Sequence, residues 1–188
     1  GAPHWTTAEP TDRPEGALIR RILGGELDAA PATVAHLFAA DRCEHLYGRG
    51  GIIERLERGE TVVCDRYVLS SLAYQGASCG LDLPMRLNMD FPLPSLLIYF
   101  DIEPAVSMAR IGGRERREIY ELLPIQERVR ASYEEALRLF ADRPMKILRV
   151  DANQPPEKVT RLALDAIGAE LGLSLGSESQ PRQRSSSQ

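Results

Sequence analysis

The run Thr61–Gly76, TVVCDRYVLSSLAYQG, restricts the fold of this chain more than any other stretch of the sequence. Its first residues, Thr61–Cys64, are mostly β-branched and predict a short buried strand. Asp65 and Arg66 follow at once, and a helix is predicted over 69–75 that stops at the next glycine. An acid and a guanidinium at the carboxyl end of a buried strand lie where open α/β sheets bind their ligands. The sequence therefore predicts an α/β fold with a ligand site just after this strand.

The residue types after the strand suit a phosphorylated ligand that carries a polar ring. Arg66 could bind a phosphate through two parallel N–H donors. Asp65 could accept a hydrogen bond from a hydroxyl or from the water shell of a metal ion. Hydroxyl and amide groups that could read the ring fall broadly on one helix face: Ser70, Ser71, Tyr74 and Gln75. The alternative is that Asp65 and Arg66 are a solvated strand end and that Tyr74 packs in the core. Because the six side chains named here lie within eleven residues, we favour the ligand site.

A second pattern, Phe38 with Arg42, lies on a long helix that is predicted to begin near Pro31. Residues four apart stack on one side of a helix, so the ring and the guanidinium would share a face. The ring could sandwich a base, and the arginine could donate to the carbonyl oxygens of that base. The alternative is that Phe38 belongs to the core and that Arg42 pairs with Asp41 or another neighbour. In isolation the pattern favours this alternative, and beside the strand-end motif it favours the ligand site.

A basic segment with two glycines, Arg110–Arg117, combines charge with backbone mobility. Its arginines are Arg110, Arg114, Arg116 and Arg117. Arginines that close over a polyphosphate stabilise charge on the transferring group, and losing such a group costs orders of magnitude in rate. The alternative is a solvated run of charge in which Glu115 and Glu118 compensate the arginines. The residues alone leave both interpretations open.

Composition and charge narrow the function classes. The net charge of −4 gives no reason to expect nucleic-acid binding through a basic surface. No apolar run reaches a transmembrane length and no secretory leader is visible, so we expect no membrane partner and a cytoplasmic location. The three cysteines, at 43, 64 and 79, are odd in number and lack metal-ligand spacing, which indicates free thiols in a reducing compartment. His36 and His45 show no ligand pattern either and are predicted to be surface or core histidines.

The two motifs, DRYVLSSLAYQG and LFAADR, resemble the signatures of thymidylate kinases. The resemblance implies a three-layer α/β/α P-loop kinase fold with a parallel central sheet. It also implies that the protein phosphorylates dTMP to dTDP with ATP and Mg²⁺. The implied partners are then dTMP and ATP, and family members commonly form homodimers.

The resemblance also implies a role for each motif residue. Phe38 stacks on thymine, and Arg42 reads the base. The substrate-binding set is Glu9, Phe38, Arg42, Ser70, Ser71, Tyr74 and Gln75. Arg66 holds the acceptor phosphate and Asp65 orients the sugar or the waters of the metal ion, which makes the catalytic set Asp65, Arg66, Arg114 and Arg116. The lid comprises Arg110, Arg114, Arg116 and Arg117.

One part of the family pattern is missing from the sequence. We place a kinase-like domain at 1–173 and a disordered Ser/Gln/Arg-rich tail at 174–188. No G-x-x-x-x-G-K-[ST] loop occurs in these 188 residues. We therefore expect the first strand and the P-loop, about thirty residues, to precede Gly1 in a longer protein. That strand would lie between the strands that end at Cys64 and Phe100.

Three alternatives to the phosphorylation of dTMP stay open. A related kinase would act on another nucleoside monophosphate. A non-catalytic remnant would bind dTMP without turnover, and the missing P-loop lysine favours it. A purely structural protein would have no affinity for dTMP and would tolerate the loss of Arg66.

Overall fold

The structure, a computed structural model, describes residues 3–111 and 123–172. The described residues form two compact units, one of 3–94, 103–111 and 123–145 and the other of 95–102 and 146–172. The predicted lid residues Arg114, Arg116 and Arg117 and the predicted tail at 174–188 lie outside the described residues.

Helices and parallel strands alternate along the described residues, which confirms the α/β prediction. The first unit contains β1 (His4–Ala8), α1 (Pro14–Leu23), α2 (Pro31–Tyr47), α3 (Ile52–Glu57), β2 (Thr61–Asp65), α4 (Val68–Cys79), α5 (Asp82–Asn88), α6 (Pro104–Ile111) and α7 (Leu123–Leu139). The second unit contains β3 (Leu96–Asp101), β4 (Lys146–Asp151) and α8 (Pro156–Leu171). Within the described ranges, no helix has both the length and the apolar character needed to cross a bilayer.

The sheet of the first unit is one parallel pair, β1 with β2. Its register runs from His4 opposite Thr61 to Ala8 opposite Asp65. The backbone amide of Glu9 then donates to the carbonyl oxygen of Asp65 at 3.0 Å. The residues that follow the two strands therefore leave the sheet at the same edge, which is where the sequence predicts the ligand site.

Helix α4 is the central helix of the first unit. It packs on α2, α5 and α7, and the side chains of Val68, Leu72 and Ala73 are fully buried. Burying a valine or leucine side chain contributes about 1.5–3 kcal/mol. This packing fixes the helix that carries the predicted polar face, and so it fixes the position of that face.

The end of α4 corrects one prediction. The helix continues through Gly76 to Cys79, so the predicted stop at Gly76 is wrong. A glycine inside a helix costs only about 1 kcal/mol relative to alanine, which the packing of α4 outweighs. The helix instead ends at Cys79, and the next residue, Gly80, has a φ of 82°, a positive value that glycine adopts without strain.

Two helix glycines give opposite predictions for substitution by alanine. Gly16→Ala is expected to lower the free energy of unfolding by about 1–3 kcal/mol. The reason is that an added Cβ would lie only 1.9 Å from the carbonyl oxygen of Thr11. Gly76→Ala, the matched control, is expected to raise it by up to about 1 kcal/mol, since the nearest atom, Cδ1 of Leu81, lies at 3.4 Å. Urea unfolding measures both changes, and equal values for the two variants would contradict the prediction.

The second unit contains the other parallel pair, β3 with β4, paired over all six residues of each strand. Helix α8 packs on both strands. Phe100 of β3 is 47% exposed, and in the first unit Val63 of β2 is 43% exposed. The further strand that we expected from the sequence, the single central sheet and the three layers stay predictions.

Candidate functional site

Glu9, in the loop after β1, and Arg42, in α2, form a buried ion pair. Nη2 of Arg42 donates to Oε2 of Glu9 at 2.6 Å, and the two side chains are only 1% and 2% exposed. The peptide bond after Glu9 is cis. Because an unpaired charge is strongly unfavourable in a protein interior, each partner stabilises the buried position of the other.

Four further groups, from two helices and the loops beside them, surround the guanidinium of Arg42. Its Nη1 donates to Oδ1 of Asn88, and its Nη2 also donates to Oγ of Ser71 at 3.0 Å. The ring centres of Tyr67 and Phe91 lie 5.0 and 5.8 Å from the guanidinium carbon. Sequence analysis singled out Ser71 but missed the other three residues, because no spacing pattern connects them with Arg42.

Asp41, the neighbour of Arg42 on α2, has a different partner. Its Oδ2 accepts from the backbone amide of Thr11 at 2.9 Å, and its Oδ1 accepts from the Thr11 hydroxyl at 2.5 Å. Pairing of Asp41 with Arg42, the alternative raised from the sequence, is therefore wrong. Adjacent residues of α2 instead hold the loop after β1 at two points, Thr11 and Glu9.

His45 contacts the other oxygen of the Glu9 carboxylate. Its Nδ1 lies 3.1 Å from Oε1 of Glu9, and its Nε2 lies 2.8 Å from Oγ1 of Thr7. The Trp5 ring stands edge-on to the imidazole at a centroid distance of 5.8 Å. The sequence predicted either a surface or a core position for His45, and the burial of its side chain confirms the core position. No spacing pattern in the sequence predicted the contact between His45 and Glu9.

Gln75 is a buried side chain whose hydrogen-bonding groups lack partners within 3–111 and 123–172. It is 1% exposed, and neither its Oε1 nor its Nε2 has a partner among the described residues. Gln75 lies one turn after Ser71 on the same face of α4, and Ser71 contacts Arg42. Nε of Arg42 also lacks a partner within the described ranges. Buried polar atoms are nearly always paired, so this face suits a ligand that offers both donors and acceptors.

Arg66, the first residue after β2, has a left-handed backbone with a φ of 67°. This conformation costs an L-residue about 1–2 kcal/mol, and such strain clusters at functional sites. The guanidinium carbon of Arg66 lies 4.9 Å from the centre of the Tyr74 ring. Tyr133 stands edge-on to Tyr74 at 6.1 Å, and its hydroxyl lies 2.8 Å from that of Ser70. Sequence analysis missed Tyr133, because α7 has the pattern of an ordinary amphipathic helix.

Asp65 and Phe38 lie where the sequence placed them, and Arg110 of the predicted lid lies at the end of a helix. Asp65 ends β2 with an exposed side chain, and its carboxylate offers the hard oxygen ligands that a hydrated Mg²⁺ prefers. Phe38 is half-buried four residues before Arg42 on α2, so the two share a side of that helix. Arg110 is exposed in the last turn of α6. The roles of these residues, like those of the whole predicted site, stay predictions.

Cys64 is a half-buried free thiol in β2. Burial, and after it the Glu9 carboxylate, raise the pKa of this thiol to about 12. The thiol therefore keeps its proton at neutral pH and is a poor nucleophile. We assign no covalent step to Cys64.

Comparisons with known proteins agree with the motifs. The family model described as Thymidylate kinase matches residues 2–163. A Treponema pallidum protein named "Putative thymidylate kinase" is 41% identical over 158 residues, which are 81% of this chain and 75% of that protein. The Thymidylate kinase of Lactiplantibacillus plantarum is 36% identical over 88% of this chain and 77% of its own length. That of Leptospira borgpetersenii is 32% identical over 88% of this chain and 78% of its own length. The chain therefore belongs to the thymidylate kinase family.

Proposed function

We propose that this protein transfers the γ-phosphoryl group of ATP, in the presence of Mg²⁺, to the 5′-phosphate of dTMP and so forms dTDP. The names of its relatives support the acceptor and the reaction class. The observation that carries the proposal is the buried amide of Gln75, whose Oε1 and Nε2 have no partner among the described residues. A homodimer and a cytoplasmic location, which we expected from the sequence, stay predictions.

The base-reading role rests on chemical complementarity. Thymine presents an N–H donor between two carbonyl acceptors, and a glutamine amide presents one acceptor and two donors. Gln75 lies one turn from Ser71, whose hydroxyl accepts from Arg42. Phe38 shares a helix side with Arg42 and supplies the aromatic face on which a base can stack. Buried groups of this kind reject a ligand that leaves them unpaired, which is the basis of their selectivity.

The phosphate-side role rests on Arg66 and Asp65 at the end of β2. Phosphoryl transfer requires alignment of the reactants and stabilisation of charge, with little covalent chemistry from the protein. A guanidinium can hold the acceptor phosphate with two parallel donors, and the Tyr74 ring positions the guanidinium of Arg66. Bound Mg²⁺ neutralises phosphate charge, and the exposed Asp65 carboxylate would hold it through water.

The decisive variant is Gln75→Leu, which keeps the volume of the side chain and removes its hydrogen-bonding groups. We expect kcat/KM for dTMP to fall by about 10–100-fold, since a lost hydrogen bond in a buried site costs about 1–3 kcal/mol. Ser78→Ala, at an exposed position in the last turn of the same helix, is the control and should keep the wild-type value. A coupled assay for nucleoside diphosphate formation measures both variants.

The wild-type protein distinguishes the alternatives in the same assay. A panel of monophosphates should give the highest kcat/KM with dTMP, and a preference for dUMP or another acceptor would overturn the assignment of substrate. Calorimetric binding of dTMP with no transfer from ATP would overturn the assignment of a kinase in favour of a binding protein. Unchanged turnover in Gln75→Leu would remove the role of Gln75 in reading the base.

A further inference from the structure

Three ligand-type side chains meet beside the Glu9–Arg42 pair: Glu9, His45 and Cys64. One carboxylate oxygen, one imidazole nitrogen and the thiol sulfur all lie within 4.8 Å of one another. The three residues come from the loop after β1, from α2 and from β2. We propose that they form a site for one divalent transition-metal ion, for which Zn²⁺ is the best match.

The donor set argues for zinc rather than magnesium. Zn²⁺ binds carboxylate oxygen, imidazole nitrogen and thiolate sulfur, and three protein ligands leave a fourth position for water. Mg²⁺ prefers oxygen ligands throughout and does not suit a thiolate and an imidazole. Coordination releases the proton of the Cys64 thiol to solvent, and the imidazole binds in its neutral form. The thiolate and the carboxylate then supply two negative charges beside the ion, and the carboxylate also stays paired with Arg42 through its other oxygen.

The spacing of two donor atoms already fits tetrahedral coordination. Nδ1 of His45 lies 3.1 Å from Oε1 of Glu9. Two ligand atoms that are each about 2.0–2.1 Å from a tetrahedral zinc ion are separated by about 3.3 Å. An ion could therefore replace the hydrogen bond between these two atoms with little movement of either side chain.

The groups behind the donors hold them in the orientation that a metal requires. Nε2 of His45 lies 2.8 Å from Oγ1 of Thr7, so the imidazole can donate there and leave Nδ1 unprotonated. Arg42 holds Oε2 of Glu9 at 2.6 Å, which leaves Oε1 directed at His45. Metal-binding histidines and carboxylates in proteins commonly have such outer partners. The inference rests on this geometry and is independent of the proposed phosphoryl transfer.

Titration of the purified protein with Co²⁺ in place of Zn²⁺ tests the proposal, because cobalt reports a thiolate ligand by charge-transfer absorption. The exposed thiol is first removed by Cys43→Ser, which serves as the background for all variants. We expect one equivalent of Co²⁺ to give the thiolate band and one equivalent of Zn²⁺ to abolish it. Cys64→Ala should lose the band, and Cys79→Ala, the matched half-buried control, should keep it. A missing band in the background protein, or a band that survives Cys64→Ala, would overturn the proposal.

A second variant tests the orientation of His45 without removing any ligand. Thr7→Val keeps the shape of the side chain and removes the acceptor for Nε2 of His45. We expect the thiolate band to persist while the affinity for Co²⁺ falls by about 10–100-fold. An unchanged affinity would overturn coordination through Nδ1, and the proposed site with it.

Discussion

Replacing Arg42 by methionine is expected to lower the free energy of unfolding by about 3–5 kcal/mol, the range found when one partner of a buried ion pair is removed. The cost arises from the charge of Glu9, which would stay in the interior without its 2.6 Å partner. Oδ1 of Asn88 and Oγ of Ser71 would lose a donor as well. Methionine is chosen because its unbranched side chain fills most of the space of the arginine stem. Urea unfolding followed by circular dichroism measures the loss.

A second substitution separates the charge from the packing. Adding Glu9→Gln to Arg42→Met removes the unpaired carboxylate, so the double variant is expected to be more stable than Arg42→Met alone. Arg13→Ala supplies the matched surface control, since Arg13 pairs with Glu44 at the same 2.6 Å with side chains that are 30% and 46% exposed. That exposed pair should contribute about 0–1 kcal/mol. A loss in Arg42→Met no larger than the loss in Arg13→Ala would contradict the account.

The sequence predicted the elements that carry the site, because their signals are local. The β-branched run before Asp65 predicted β2, and Pro31 marked the start of α2. The predicted end of the helix at Gly76 was wrong for a physical reason. A glycine ends a helix where a positive φ is required, and Gly80 supplies that conformation while Gly76 stays helical.

The sequence did not predict which residues of the site contact one another, because these contacts join elements that are distant along the chain. Arg42 lies 33 positions from Glu9 and 46 from Asn88, and no periodicity connects such pairs. Cys64 and His45 showed no ligand spacing along the chain, yet the parallel pairing of β1 with β2 brings Cys64 near Glu9, and α2 places His45 beside it. Sequence spacing detects ligands that share a helix or a loop, and it does not detect ligands that the fold assembles from three elements.

Arg66 yields the second large prediction, which separates stability from function at one residue. We expect Arg66→Ala and Arg66→Gly to lower kcat/KM for dTMP phosphorylation by about 10²–10³-fold each, because both remove a group that stabilises transferring charge. Arg66→Lys should recover only part of this loss, since an ammonium cannot present two parallel donors to a phosphate. The coupled nucleotide assay measures all three variants.

The same variants should differ in stability because the backbone at position 66 is left-handed, with a φ of 67°. Alanine keeps the strain of about 1–2 kcal/mol that an L-residue has there, and glycine removes it. Glycine also makes the unfolded chain more flexible, which lowers the free energy of unfolding by about 0.4–1 kcal/mol. The net advantage of glycine over alanine at this position is therefore about 1 kcal/mol. Both lose the contact with Tyr74, worth about 0.5–1 kcal/mol at a partly exposed site.

The free energy of unfolding of Arg66→Gly should therefore be close to that of the wild-type protein and higher than that of Arg66→Ala. The two variants should nevertheless have equally low activity. Equal loss of activity in the two variants would assign a functional role to the guanidinium. Unequal stability would show that the strained backbone at position 66 lowers the free energy of unfolding. Retained activity in Arg66→Gly would show that the guanidinium does not hold the acceptor phosphate. Higher stability in Arg66→Ala than in Arg66→Gly would show that the left-handed backbone is not strained. The two measurements thus test the chemical and the conformational claims about Arg66 separately, on the same pair of variants.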